Sequence, residues 1–266
     1  MANKNSSTFC VKDKDGNVID KRKLVTEPSE IKGYLKKFKG ASLVIEPVSQ
    51  WYCYADFIES LGLEVKITHP TKVKAIASAR IKTDSIDANV LADLLRVDLL
   101  PESYHAPKNV RDWKAQVRLR MSLVRLRVQV KNKVHALLWK EGLRCSCTLF
   151  STKGLRWLSA LVLKEPTKTS LATYLSLIDS INEHIKNAEE IVKSTVESGR
   201  EAKLLTTIPG ISYLSALTVM AEVGDVGRFP SAKKLMGYAG LVPSTYASGG
   251  VVRHGRIIKQ GSSWLR

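Results

Sequence analysis

Acidic residues are scarce in this chain, and so are cysteines. Of 266 residues, 25 are Asp or Glu against 42 Lys or Arg, a formal net charge of +17 at pH 7. An excess of that size calls for a polyanionic partner, nucleic acid first and an anionic membrane surface second. The four cysteines, Cys10, Cys53, Cys145 and Cys147, are scattered, and the last two are one residue apart rather than two. That spacing offers neither a zinc ligand set nor a disulfide framework, so reduced thiols are expected. Long apolar runs are missing too: Leu158–Leu163 and Leu214–Val223 fall well short of the roughly 18 residues that cross a bilayer. The segment Met1 to Ser7 holds no apolar stretch of the signal-peptide kind, so a cytoplasmic protein with no membrane partner is expected. No Gly-x-x-x-x-Gly-Lys, Gly-x-Ser-x-Gly or His-Glu-x-x-His occurs, which disfavours ATPase, α/β-hydrolase and zincin chemistry. What remains is an ordinary globular composition, 44% hydrophobic and 25% charged, enough for one or two domains with a sizeable core.

The pattern changes along the chain and predicts an α/β region followed by an all-α one. In residues 1–105, strand-like Ser7–Val11 and Val18–Val25 flank the turn signal Asp15-Gly16. Pro28 and Glu30 open a helix reaching Phe38. The run Ala41–Ile45 reads as a central strand, and Leu63–Ile67 as another. Between them Trp51–Leu61 is helical, with Gly62 as its cap, and residues 84–96 form a further helix. Residues 106–199 read as a long antiparallel helical pair. Val110, Trp113, Val117, Met121, Val124, Val128 and Leu138 form the first stripe; Tyr174, Ile178, Ile181, Ile185, Ala188 and Val192 form a heptad seam in the second. The first helix carries ten cations, among them Arg118, Arg125 and Lys131, against Asp112 and Glu141 alone. That face either tracks phosphates or is simply solvated. Residues 200–266 contain Ile208-Pro209-Gly210-Ile211 before a small-residue helix. This is either a helix-hairpin-helix element aiming backbone N–H groups at a phosphate near Gly210, or an ordinary packing unit. The tail beyond it, with Gly249-Gly250 and Gly255, reads as a basic loop.

Two constellations could carry chemistry. Glu46 ends the predicted central strand, where open α/β sheets place their sites, and Asp84 and Asp87 lie three apart on one helix face. Three carboxylates suit a hard cation, Mg²⁺ by default, and two such ions can clamp a phosphodiester. The plainer alternative is that Asp84 complements a helix dipole and Asp87 is solvated. Ser248 precedes two glycines and is followed by Arg253, His254, Arg256 and Lys259. Its hydroxyl could attack phosphorus while the cations hold the developing charge, or Ser248-Gly249-Gly250 is merely a turn.

Taken together, Ile45-Glu46-Pro47, Lys82-Thr83-Asp84-Ser85-Ile86-Asp87-Ala88, Ile208-Pro209-Gly210-Ile211, Phe229-Pro230-Ser231-Ala232, Gly240-Leu241-Val242-Pro243, Ser248-Gly249-Gly250, the stretch Gly255 to Gly261 and Trp264-Leu265-Arg266 stand in one order. In that order they resemble the DEDD transposases of the 110/116/902 group of bacterial insertion sequences, relatives of the Piv invertase, over nearly the whole chain. The resemblance implies an RNase H/RuvC-like domain over 1–105, a coiled-coil linker over 106–199 and a C-terminal serine domain, mostly helical, over 200–266. It implies a DNA recombinase that works as a homo-oligomer (dimer or tetramer), uses Mg²⁺ and is guided by a structured RNA. By position, Glu46, Asp84 and Asp87 match the last three acids of the DEDD set, and Ser248 matches the family serine that links to DNA. The family pattern also places a strand ending in an acid ahead of a segment like Lys4–Phe9, whereas no Asp precedes Asp13 here. The first strand and first acid are therefore expected to be missing, the C-terminal end to be short, and the chain to lack DNA cleavage activity. Two other readings stay open: a non-catalytic nucleic-acid-binding protein, and a Holliday-junction nuclease that uses the acids without the serine.

Overall fold

The computed structural model describes residues 5–47, 51–76 and 83–266. The chain divides into two compact units, Met1–His105 and Ala106–Arg266.

In the first unit, β1 (Ser6–Lys12) and β2 (Val18–Val25) form an antiparallel hairpin whose turn uses Gly16 at φ +94°. Helix α1 (Pro28–Leu35) starts with a proline that needs no N–H in its first turn. It leads to β3 (Ser42–Ile45), α2 (Trp51–Glu59) and β4 (Glu64–Ile67), with β3 and β4 parallel, as a helical crossover requires. Helix α3 (Pro70–Ile76) and α4 (Asp84–Arg96) complete the unit. Helix α4 begins where Thr83 Oγ1 accepts the Ile86 N–H at 3.2 Å, with Asp84 and Asp87 in the electropositive first turn. Ile31, Tyr34, Leu35, Ile45, Ala55, Ile58 and Ile67 are buried together, with Phe9, Val11 and Leu24 against them. One expectation needs correction. β3 is not central in a wider sheet: the described residues hold β1–β2 and β3–β4 as separate two-stranded sheets, with a cavity between β1 and β3.

The second unit is built on α5 (Lys108–Lys140) and α7 (Thr167–Ser198). Gln116 bonds Thr195, Arg120 bonds Glu189 and Arg127 bonds Asn182; one number rises as the other falls, so the helices are antiparallel. The segment joining them is not a plain connection but carries α6 (Thr152–Ser159), capped by Ser151. Leu149 and Leu158 close the core around Val134, Leu138, Leu171 and Ile178. Toward the other end, Val117, Val192 and Val196 meet Ala202 of α8 (Arg200–Thr206) and Leu217 of α9 (Tyr213–Val223). Helix α9 packs on both long helices, and residues 106–266 form one compact unit. Helix α10 (Ala232–Ala239) ends at Gly240, φ +73°, where a Cβ would strike the Gln260 backbone. The tail is not loop-like as expected. It forms an antiparallel hairpin of β5 (Pro243–Ser248) and β6 (Val251–Ile257), exposed along its whole length. Gly249 and Gly250, at φ +57° and +78°, make the two-residue turn whose twist suits a hairpin.

Candidate functional site

The three candidate acids belong to the first unit. Glu46 follows β3 directly and lines the cavity beside it. Asp84 and Asp87 occupy the first turn of α4, one residue before Ala88, which lines the same cavity. The pairings Cys10–Asn89, Lys12–Asp93 and Lys14–Arg96 rise together, so α4 runs alongside β1 in the same sense. Its acidic first turn therefore lies toward the start of β1. All three side chains are partly buried. They do not form a trio at ligand spacing: among the described residues, the set whose ligand atoms all lie within 4.8 Å is Asp56, Glu59 and His105.

That second set was not foreseen. Asp56 and Glu59 sit one turn apart on α2, and His105 Nδ1 lies 3.2 Å from Glu59 while Nε2 lies 4.0 Å from Asp56. The ring packs near Trp51, with centroids 5.2 Å apart. An i, i+3 acidic pair gave a local signal, but the histidine comes 46 positions later and is brought in only by the chain's return past β4, where Ser103 N–H donates to Ile67 at 2.7 Å. Two carboxylates and an imidazole at these distances read first as a polar side-chain cluster at the edge of α2.

Ser248 belongs to the second unit, as the last residue of β5 next to the glycine turn. The register sets its neighbours. Ser248 pairs with Val251 and Tyr246 with Arg253, so these four side chains share one face of the hairpin. Thr245 and His254 lie on the opposite face, where Thr245 Oγ1 and His254 Nδ1 are 3.1 Å apart. Tyr246 is 70% exposed, which leaves an aromatic ring, a guanidinium and a hydroxyl open to a ligand on one surface. Arg256 on β6 and Lys259 beyond it are exposed as well.

The basic face of α5 is more occupied than the sequence implied. Arg118 Nη2 stands 3.3 Å from Glu222, an acid 7% exposed at the end of α9. Arg125 lies over the Trp264 ring at 5.0 Å, and Lys131 over Phe150 at 4.6 Å. Burial, then the nearby Arg127, pushes the Lys131 ammonium below its usual pKa. Lys114 is likewise pushed down by burial, an effect that Glu222 opposes and that Arg118 and Arg228 reinforce. Glu222 is thus the buried counter-charge of a cationic cluster. No periodic signal marked it, because it stands alone among small apolar residues. Gly210 is exposed at φ +91° in the turn between α8 and α9, but the following amide, Ile211 N–H, already donates to Ile208 at 3.0 Å. No helix among the described residues is long and apolar enough to cross a membrane.

Comparison with known proteins places these parts. A family model described as "Transposase", that of the DEDD transposases of IS110 elements, matches residues 2–140. A second, "Transposase IS116/IS110/IS902 family", matches residues 202–266. The chain is 26% identical over 274 residues to the transposase for insertion sequence element IS1328 of Yersinia enterocolitica, covering 99% of this chain and 78% of the relative. It is 27% identical over 211 residues to the transposase for IS1111A of Coxiella burnetii, covering 77% and 57%. It is 28% identical over 211 residues to the pilin gene-inverting protein of Moraxella bovis, covering 78% and 58%. The chain thus spans between 57% and 78% of the length of these relatives. One model covers the first 140 residues, including all three candidate acids, and the other covers the serine hairpin: the chain belongs to the DEDD transposase family of the IS110/IS116/IS902 insertion sequences.

Proposed function

We propose that the chain is a DNA recombinase of an insertion sequence, with a RuvC-like first unit and a serine nucleophile on the hairpin of the second. The observation that carries the reading is the hairpin face itself: Ser248, Tyr246 and Arg253 are exposed together beside a glycine turn that lets a backbone approach closely. Ser248 Oγ attacks a phosphodiester phosphorus. The bond to the leaving strand breaks, the serine proton ends on the released hydroxyl, and a phosphoserine link conserves the ester for rejoining. Arg253 meets the charge that builds on the phosphoryl oxygens, and Tyr246 offers a ring on which a displaced base can stack. The net charge of +17 supports DNA and a structured guide RNA as partners, and the exposed apolar residues Val251 and Val252 support assembly into a homo-oligomer.

Glu46, Asp84 and Asp87 are the residues proposed to hold Mg²⁺, and their hard oxygen donors suit it. Such an ion would supply charge neutralisation at a scissile phosphate. The three are not at ligand spacing, so no step is routed through it. That same spacing favours a second reading, a protein that binds nucleic acid without cutting it.

The test isolates the serine. An oligonucleotide carrying a phosphorothiolate has a leaving group good enough to need no help from the acids. The expected result is a covalent protein–DNA adduct, resistant to denaturation and absent in Ser248→Ala. An adduct that forms equally in Ser248→Ala contradicts the nucleophile. No adduct at all, with binding intact, favours the binding-only reading.

A further inference from the structure

The loop between α5 and α6 brings two thiols together. Cys145 Sγ and Cys147 Sγ stand 2.6 Å apart, and Cys147 N–H turns back toward Cys145 Sγ at 3.4 Å. A disulfide bond spans about 2.05 Å, so little movement separates the pair from a bond. Both cysteines are free thiols, and both are partly exposed.

The backbone that carries them is held from both ends. Before the pair, α5 ends on Gly142 at φ +69°, and Leu143 N–H donates to Leu138 at 2.9 Å. After it, Ser151 donates to the Thr148 carbonyl twice, from N–H at 3.0 Å and from Oγ at 2.7 Å. The first turn of α6 sits so close to this segment that a Cβ on Gly154 would strike the Thr148 and Leu149 carbonyl oxygens. Leu149 is buried, and Cys145 packs against the same core as Val134 and Leu138. Two thiols in such a place can either hold a soft metal or be oxidised. Among the described residues the two sulfurs belong to no three-ligand metal set. Oxidation needs no third group.

We propose that Cys145 and Cys147 form a reversible oxidation site, closed to an intrachain disulfide by a small-molecule disulfide of the glutathione class. The Cys147 thiol is pushed up, chiefly by its hydrogen bond to Cys145, so it keeps its proton and Cys145 attacks first. Cys145 Sγ, as thiolate, bonds one sulfur of the small disulfide. That S–S bond breaks, and the released thiolate takes up a proton. The mixed disulfide removes the hydrogen bond that held the Cys147 proton, and the nearby Lys153 ammonium favours the thiolate. Cys147 gives its proton to water, attacks Cys145 Sγ and expels the second small thiol. Two protein thiols are oxidised, and one disulfide is reduced to two thiols. The site needs neither Ser248 nor a cation, so it stands or falls separately from the recombinase reading.

The experiment equilibrates the full chain in buffers of graded reduced and oxidised glutathione, quenches with acid, alkylates the remaining thiols and digests with trypsin. Cleavage after Arg144 and Lys153 yields one peptide, Cys145–Lys153, that holds both sulfurs and no other cysteine. The same peptide, synthesised and reduced, is equilibrated alongside. In the chain it should be recovered unalkylated and lighter by two hydrogens, and dithiothreitol should restore both thiols. Because the fold already holds the sulfurs together, the constant for closure in the chain should exceed that of the free peptide by at least about tenfold. Anything short of that preference overturns the proposal. By linkage the same factor, about 1.4 kcal/mol, should stabilise the oxidised chain, and a urea midpoint that does not rise on oxidation contradicts the preorganised pair. Cys53, which is exposed, reports the general level of glutathione addition. Recovery of Cys145 or Cys147 bonded to glutathione, to Cys10 or to Cys53, in place of each other, overturns the assignment.

Discussion

Replacing Glu222 by glutamine should destabilise the second unit with almost no change in shape. Glu222 is 7% exposed, and Arg118 is its nearest cation at 3.3 Å. At that distance the attraction is about 5 kcal/mol for an effective dielectric near 20 and about 1 kcal/mol in water. Arg118 is 53% exposed, so the effective value lies toward the lower end. Burying the carboxylate costs part of what the pair returns. Against that, glutamine leaves Lys114 and Arg118 beside each other without the Glu222 charge, and Lys114 is already pushed down by burial. The expected net loss is about 1–3 kcal/mol. Four of the five tryptophans, Trp113, Trp139, Trp157 and Trp264, lie in the second unit, so urea unfolding followed by fluorescence reports mainly on it. The midpoint should fall with an unchanged m-value. Adding Arg118→Met to Glu222→Gln should cost less than Arg118→Met alone, because the shared interaction is already gone. A loss below about 0.5 kcal/mol, or strict additivity, would refute the buried counter-charge.

Two further outcomes follow from the same geometry. Burial, together with the nearby Asp20 charge, raises the Tyr34 phenol to about 12. The unfolded chain therefore releases this proton first, near pH 10, and the first unit should lose about 2–3 kcal/mol as pH rises from 10 toward 12. Tyr34→Phe should remove that slope in urea unfolding at alkaline pH; an unchanged slope assigns it elsewhere. For nucleic acid, Arg253→Ala with Arg256→Ala should lower the dependence of log K on log salt by about 1–2, whereas Lys131→Gln should leave it unchanged, since that ammonium sits over Phe150. Filter binding across salt concentrations measures both, and equal slopes for all variants would contradict the hairpin as a phosphate-tracking surface.

How legible each part was depended on whether its cause was local. The helix over residues 84–96 could be read directly, because its first-turn acids and its apolar face lie within its own span, whereas its Thr83 cap is a finding of the structure. The seam of α7 was legible too, and Ile178, Ile185, Ala188 and Val192 are buried. The stripe of α5 was only partly right. Val110, Val117 and Leu138 are buried, but Val128 is 48% exposed and Val134, not Val128, enters the core. Over 33 residues an α-helix drifts relative to a strict heptad, and this one changes partners, from Leu217 and Val192 at one end to Leu149 and Leu158 at the other. The β5–β6 hairpin gave a turn signal and no strand signal, since a hairpin exposed on both faces has no core to impose alternation. The cluster of Asp56, Glu59 and His105 and the pairing of Arg118 with Glu222 are products of tertiary return, which no window of sequence contains.

The metal half of the proposal has Glu46, Asp84 and Asp87, which stand apart here, close together on a divalent cation. With hydrogen peroxide and ascorbate added, Fe²⁺ in place of Mg²⁺ reduces the peroxide to hydroxide and a hydroxyl radical that cuts the backbone where the metal sits, and peptide mapping reads the cuts whether or not the protein is active. Cuts beside Glu46 and across Asp84 to Asp87, suppressed by excess Mg²⁺ and lost in Asp84→Asn, are predicted. Cuts confined to the neighbourhood of Asp56, Glu59 and His105, or insensitive to Mg²⁺, would contradict it.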